Sequence, residues 1–332
     1  MQLISPRRQI LRSIGFVVLI IVLIVLMVDF DAMWEAVLLT DWGEYLLGVC
    51  FLLVMYSLYS LRSRFLLQQK FSYFDTMSMD VTGLMFAVLM QIPKDAFRVL
   101  AWNRTDKVDA SLTASALTIG GITSWLVRML GLIFALVLAA ANSGDAERPL
   151  FTSLVTVVGL LLLLMLIAKN SARIQSPLAK GFSFLPRVTP ARAEKIALNI
   201  THTLEHIASV RRFGMVLFLT ILVWVFALLF YFYSFESMNM EITKSHLLVA
   251  LAVMVVAPPT SPMMIGVFNG AVIAVLGTMR LLNPDDAAVY SIALHLTQMI
   301  LLVIMGTIGM RRLKLEFRVI IKEIRASTHK QK

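Results

Sequence analysis

Cysteine is nearly absent. The 332 residues hold one, Cys50, and it lies in an apolar run. That excludes a disulfide framework and a cysteine metal cluster. Phosphate-cradling and nucleophile signatures are also missing: no G-x-x-x-x-G-K-[ST], no Gly-rich dinucleotide turn and no G-x-S-x-G. No polar segment is long enough for a soluble catalytic domain. Any energy coupling must then come from ions, protons or a gradient of the substrate itself. Acidic residues are scarce too, 20 against 30 Lys and Arg. The net charge of +10 is read as membrane orientation rather than nucleic-acid binding, because the basic residues fall in particular loops.

What is abundant is apolar surface. The chain is 59% hydrophobic with a mean hydropathy of +0.82. This predicts an all-α, polytopic helical membrane protein. Full spans are expected at residues 14–28, 45–61, 111–141, 150–168, 213–235 and 287–310. Arg7, Arg8 and Arg12 precede the first run as in a signal peptide, but no small-x-small cleavage site follows, so a retained span is expected. Residues 30–44 read as an acidic loop with Trp34 and Trp42 as interfacial anchors. Residues 169–212 read as a basic loop. Within it Thr189-Pro190 is placed to start a surface helix whose Ile196, Ile200, Leu204 and Ile207 share one face. Residues 311–332 read as a basic amphipathic tail.

Two elements are broken. Residues 247–256 and 267–276 are apolar but too short to span, and Pro258, Pro259 and Pro262 lie between them with Gly266. Residues 81–92 are likewise short and stop at Pro93. Interrupted backbone at membrane depth is tolerated only inside protein or against a watery cavity, which makes both breaks site candidates. If each returns to its own side, there are about six full crossings, and 26 of the 30 Lys and Arg fall on one face, taken as cytoplasmic along with both termini. Two inverted repeats follow, residues 1–141 and 142–310, with the site near the midplane between them.

Arg128 stands deep in an apolar run, and Arg98 and Lys94 follow the first break. An intramembrane cation is costly unless paired or hydrated, and the planar arginine fork suits a phosphate. The alternative is structural: Arg128 paired with Asp80 or Asp95, and Arg98 a mere loop cation. Asp95, three residues before Arg98, can orient it. Thr260, Ser261, Asn269 and His295 complete the candidate substrate-binding set, each also able simply to satisfy freed backbone or bond between helices. His202-Thr203-Leu204-Glu205-His206 matches the H-x-x-E-H pattern, but it is amphipathic and basic and has no third ligand on its face, so neither a metal nor another cofactor is expected.

Residues 92–98 (Ile-Pro-Lys-Asp-Ala-Phe-Arg), 124–128 (Ser-Trp-Leu-Val-Arg) and 259–269, with Pro259, Pro262, Gly266 and Asn269, resemble the ordered signatures of the lysylphosphatidylglycerol synthase transmembrane-region family, also called flippase-like integral membrane proteins. The resemblance spans roughly residues 10 to 312. Val127 stands where that family has glutamate, Met263-Met264 where it has two glycines, and Asn269 where it has an acid. The resemblance implies movement of a lipid or lipid-linked molecule between leaflets of a bacterial-type inner membrane, without a soluble synthase domain. Its partners would be that lipid, plus anionic inner-leaflet lipids along the basic loops. Homo-oligomerisation stays open. An embedded lipid transferase or hydrolase using His295 or Asp95 as base, or a non-catalytic scaffold, are the competing readings.

Overall fold

The computed structural model describes residues 30–68, 70–90, 94–103, 110–141, 169–183, 189–207, 209–240, 246–260 and 266–314, with a few positions between 159 and 167. The spans expected at 14–28 and, for the most part, 150–168 lie outside the described residues, as do Pro93, Ser261, Pro262 and the tail from 315 onward. Among the described residues there are eleven named helices and no strand: α1 Phe30–Leu39, α2 Trp42–Leu66, α3 Tyr73–Met90, α4 Lys94–Asn103, α5 Ala110–Ala141, α6 Ser171–Ser183, α7 Pro190–Ile207, α8 Val210–Glu236, α9 His246–Val256, α10 Val267–Thr278 and α11 Pro284–Arg312.

Four of these are long and apolar enough to cross a membrane: Trp42–Leu66, Thr113–Phe134 within α5, Val210–Glu236 and Pro284–Arg312. Their outward faces stay apolar. On α11 Leu296, Ile300, Ile304 and Ile308 form an exposed stripe at four-residue spacing. In water such a stripe is a liability, whereas in lipid it is the expected surface. The chain is a polytopic helical membrane protein.

Helix contacts organise the fold. α2 packs along α8, α3 along α11 and α5 against α9. Small residues allow the first two approaches. A Cβ at Gly48 of α2 would stand 3.2 Å from Ser234 Oγ and 3.3 Å from the Phe230 carbonyl on α8. At Gly309 of α11 it would stand 2.7 Å from Thr82 Oγ1 and 2.8 Å from the Ser78 carbonyl on α3. The largest buried cluster joins α2, α8, α9, α10 and α11 around Tyr56, Phe230, Tyr231 and Tyr290.

Three sequence expectations need correction. Residues 30–44 are not a loop: α1 occupies Phe30–Leu39, and Asp41 caps α2 by accepting from the Gly43 and Glu44 N–H groups at 2.8 and 3.3 Å. Its acids begin a helix rather than solvate a loop, as the helix dipole favours. The second span does not end at Arg62; no breaker follows, and α2 runs on to Leu66. The element expected at 81–92 starts eight residues earlier, at Tyr73, so Asp75 and Asp80 lie within a helix. The basic segment 169–212 is largely helical. α7 begins at Pro190 as expected, and α6, which packs against it, has no counterpart in the sequence reading. Ala193, Ala197, Thr201 and Leu204 give α7 its buried face, while Ile196 and Ile200 are half-buried beside it.

The proline break is tethered through Tyr231, which α11 in turn holds. The Tyr231 hydroxyl on α8 donates to the Ala257 carbonyl at 2.5 Å. Gln298 on α11 donates to that hydroxyl at 3.3 Å, and the Tyr290 hydroxyl donates to the Tyr231 carbonyl at 2.7 Å. The first of these bonds satisfies a carbonyl that a continuous helix would have bonded itself. The break closes at Gly266, whose φ of +85° lies in the left-handed region that glycine enters without a Cβ penalty.

Candidate functional site

Where the two broken elements meet, the helices enclose a cavity of about 170 Å³. Its walls come from α2, α4, α5, α8 and the second break, through Tyr59, Lys94, Gly121, Trp224, Pro258 and Thr260 among others. Gly120 and Gly121 bring the bare backbone of α5 to the lining, and nothing lies within 4 Å of a Cβ built at Gly121. The tie between the two breaks is direct. Lys94 Nζ, in the first turn of α4, donates to the Thr260 carbonyl.

Four cations converge here: Arg62, Lys94, Arg98 and Arg128. Asp95 is the carboxylate lining the cavity among the described residues. Three of the cations surround one ring. The Arg62 and Arg98 guanidinium carbons and Lys94 Nζ lie 5.1, 5.3 and 5.6 Å from the Tyr59 centroid. An aromatic face stabilises a cation by roughly 0.5–2 kcal/mol, more when desolvated. That is less than burying the charges costs, so the ring alone cannot account for them.

Arg98 has partners. Its Nη2 lies 2.6 Å from Asp80 Oδ1, with both side chains buried, and its Nη1 lies 3.1 Å from Asp95 Oδ1. It donates further to the Tyr59 hydroxyl at 3.0 Å and to Ser63 Oγ at 2.8 Å, and its guanidinium carbon stands 5.4 Å from the Trp102 ring. Asp95 does orient Arg98, as the three-residue spacing predicts. The role of Asp80 is different from the expected one. The sequence offers Asp80 or Asp95 as partners for Arg128, and both pair with Arg98 instead. Gly83 permits this, since a Cβ there would meet Arg98 Cγ at 3.1 Å and the Lys94 carbonyl at 3.2 Å.

Among the described residues, Arg128 reaches the Val256 carbonyl at the end of α9, at 3.4 Å, and its buried Nε has no hydrogen-bond partner. Arg62, just past the span expected at 45–61, is 4% exposed. It donates to Ser124 Oγ at 2.5 Å and Thr220 Oγ1 at 3.3 Å, both neutral, and its Nε also lacks a partner. Arg62 is the residue sequence reasoning missed. The available signal was the apolar Phe65-Leu66-Leu67 that follows it without a breaker, which keeps the helix going and the arginine inside.

The structure therefore brings Lys94, Asp95, Arg98, Arg128, Pro258 and Thr260 together at one cavity. Asn269 and His295 do not line it. Asn269 donates to Ser291 Oγ at 3.2 Å, and His295 packs edge-on against Phe268 at 4.7 Å between centroids. Pro259 is buried beside the cavity and Gly266 begins α10, neither in its lining. His202 and Glu205 are exposed on α7.

A cavity of this kind in a helical membrane protein, bounded by two interrupted helices, defines a membrane protein with an internal polar site. The family follows from comparison with known proteins. The model of the lysylphosphatidylglycerol synthase TM region matches residues 10–306, and the chain belongs to that family. No curated protein matches, and no solved structure does.

Proposed function

We infer that the chain is a flippase-like transporter that moves a lipid or lipid-linked molecule with an anionic headgroup between leaflets. One observation carries the reading: among the described residues four cations face a cavity lined by a single carboxylate, inside a fold whose surroundings are apolar. Such a cavity attracts an anion and gives it a polar path. The lysylphosphatidylglycerol synthase TM region describes proteins of the membrane, and movement of a lipid is consistent with it.

The internal arrangement supports two inverted repeats, residues 1–141 and 142–310. α2, α3, α4 and α5 of the first half find counterparts in α8, α9, α10 and α11 of the second. The central pair is α2 with α8, and the pairing of α3 with α11 is mirrored by that of α9 with α5. Paired interrupted helices at a repeat interface are the arrangement in which transporters hold substrates. In this reading the cavity is the headgroup site, and the break at Pro258 and Pro259 forms a gate to it. The protein works without enzyme chemistry, in a bacterial-type inner membrane, with both termini cytoplasmic. Basic residues such as Lys180 and Lys195 would rest on anionic inner-leaflet lipids.

The test is leaflet translocation of fluorescent anionic and zwitterionic phospholipids in proteoliposomes. Lys94→Gln and Arg128→Gln are the informative variants, because Arg98 is tied to buried Asp80 and its loss endangers folding. Protein-dependent movement of anionic lipid, lost in both variants with the fold intact, supports the reading. Equal movement by wild type and variants would sink the site assignment. No movement of any lipid by folded wild type would sink the transport class for those lipids.

A further inference from the structure

Charge at the cavity does not balance. Asp80 and Asp95 both engage Arg98, leaving that trio one charge negative. Lys94, Arg62 and Arg128 then add three positive charges, and their bonds at the cavity go to a backbone carbonyl, to two hydroxyls and to a backbone carbonyl. Among the described residues, the cluster is left two charges positive. A buried cation facing only neutral groups is costly, and charges are retained inside proteins when an opposite charge meets them. Among the described residues, Arg62 and Arg128 each keep a buried Nε with no partner, and no carboxylate pairs with either. Both side chains line the same cavity. Arg62 is moreover held in one pose by Ser124 and Thr220, on two other helices.

We propose that the cavity takes a terminal phosphate, a phosphomonoester carrying close to two negative charges, with Arg62 and Arg128 as its direct contacts. A phosphodiester headgroup brings one charge and one fewer free oxygen. A phosphomonoester brings −1.5 to −2 at neutral pH and three acceptor oxygens. Guanidinium forks match those oxygens in pairs. Arg98 then acts as a positioning residue, its charge already met by Asp80 and Asp95 although its own Nε has no partner among the described residues, and Lys94 fixes the second break to the first. The proposal rests on the cavity being the headgroup site of the transport reading.

The experiment is binding to full-length protein in a nonionic detergent, by titration calorimetry. The probes are dioctanoyl phosphatidic acid, dioctanoyl phosphatidylglycerol and inorganic phosphate. The expected result is phosphatidic acid binding at least about tenfold more tightly than phosphatidylglycerol, the worth of one added charge-assisted contact. Arg62→Gln reduces phosphatidic acid binding roughly ten- to hundredfold and erases most of that preference. Gly121→Leu fills open cavity space without touching a charge, and it reduces binding of all probes while the thermal transition is unchanged. Equal affinity for the two lipids overturns the proposal, as does full phosphatidic acid binding by folded Gly121→Leu or Arg62→Gln. If inorganic phosphate binds as tightly as phosphatidic acid, the terminal phosphate comes from a soluble anion; if it binds far more weakly, the source is a lipid. Either pattern, with the Arg62 dependence, supports the dianion site. Selective binding without translocation removes the transport reading and leaves this site. Translocation without selectivity does the reverse.

Discussion

Asp80 and Asp95 contact the same guanidinium, and their burial predicts different consequences when each is neutralised. Asp80 lies 2.6 Å from Arg98 with side-chain exposures of 0% and 3% for the acid and the arginine. Asp95 lies 3.1 Å away but is 52% exposed. Removing one partner of a fully buried pair strands the other charge and costs about 3–5 kcal/mol. Removing a solvated partner costs about 0.2–1 kcal/mol, because water screens the attraction and replaces the bond. Asp80→Asn keeps the shape and removes the charge, so the loss is electrostatic. It is expected to destabilise the protein by about 3 kcal/mol or more, against under about 1 kcal/mol for Asp95→Asn. Arg98→Gln on top of Asp80→Asn is expected to cost less than the two separate losses together, with a coupling of about 0.5–3 kcal/mol. The assay is equilibrium unfolding of full-length protein in mixed micelles as the denaturing detergent fraction rises. Equal losses for Asp80→Asn and Asp95→Asn would refute the reasoning, since burial would then not be what sets the strength of the contact.

Further outcomes follow from close packing and from one buried hydrogen bond. Gly309→Ala forces a Cβ to within 2.7 Å of Thr82 Oγ1 and 2.8 Å of the Ser78 carbonyl, and Gly306→Ala to 2.7 Å from Met85 Cβ; each should destabilise by about 1–3 kcal/mol. Gly214→Ala on α8, where no atom lies within 4 Å, should instead stabilise by up to about 1 kcal/mol through helix propensity, in the same unfolding assay. Tyr231→Phe removes the hydroxyl that ties down Ala257 at 2.5 Å and should cost about 1–3 kcal/mol. Limited proteolysis checks it, with faster cleavage near residues 257–260 expected and an unchanged rate arguing against that tether.

Hydropathy and helix breakers are local properties, so much of the architecture is legible in the sequence alone. The long apolar runs at 213–235 and 287–310 lie within α8 and α11, and the prolines at 258 and 259 separate α9 from α10 as expected. Family membership is also carried in the sequence, through the ordered signatures at 92–98, 124–128 and 259–269. The need for a buried cation site is legible in Arg128, since no apolar run tolerates an arginine without some arrangement for it.

Partnership is not local, and there the tertiary structure decides. Asp80 is 18 residues from Arg98 and lies on another helix. The two meet because Gly83 lets α4 approach α3, a distance no periodicity encodes. Arg62 looks like a loop cation until α5 and α8 bring Ser124 and Thr220 to it. Asn269 and His295 share the polarity of the site residues, yet their helices carry them to Ser291 and Phe268 instead. The sequence by itself determined that this is a helical membrane protein with two interruptions and cations among apolar residues. Only the packing of its helices decided which arginine is neutralised by carboxylates and which are left facing the cavity, because a charge is compensated by what lies within a few ångströms in space, whatever the separation along the chain.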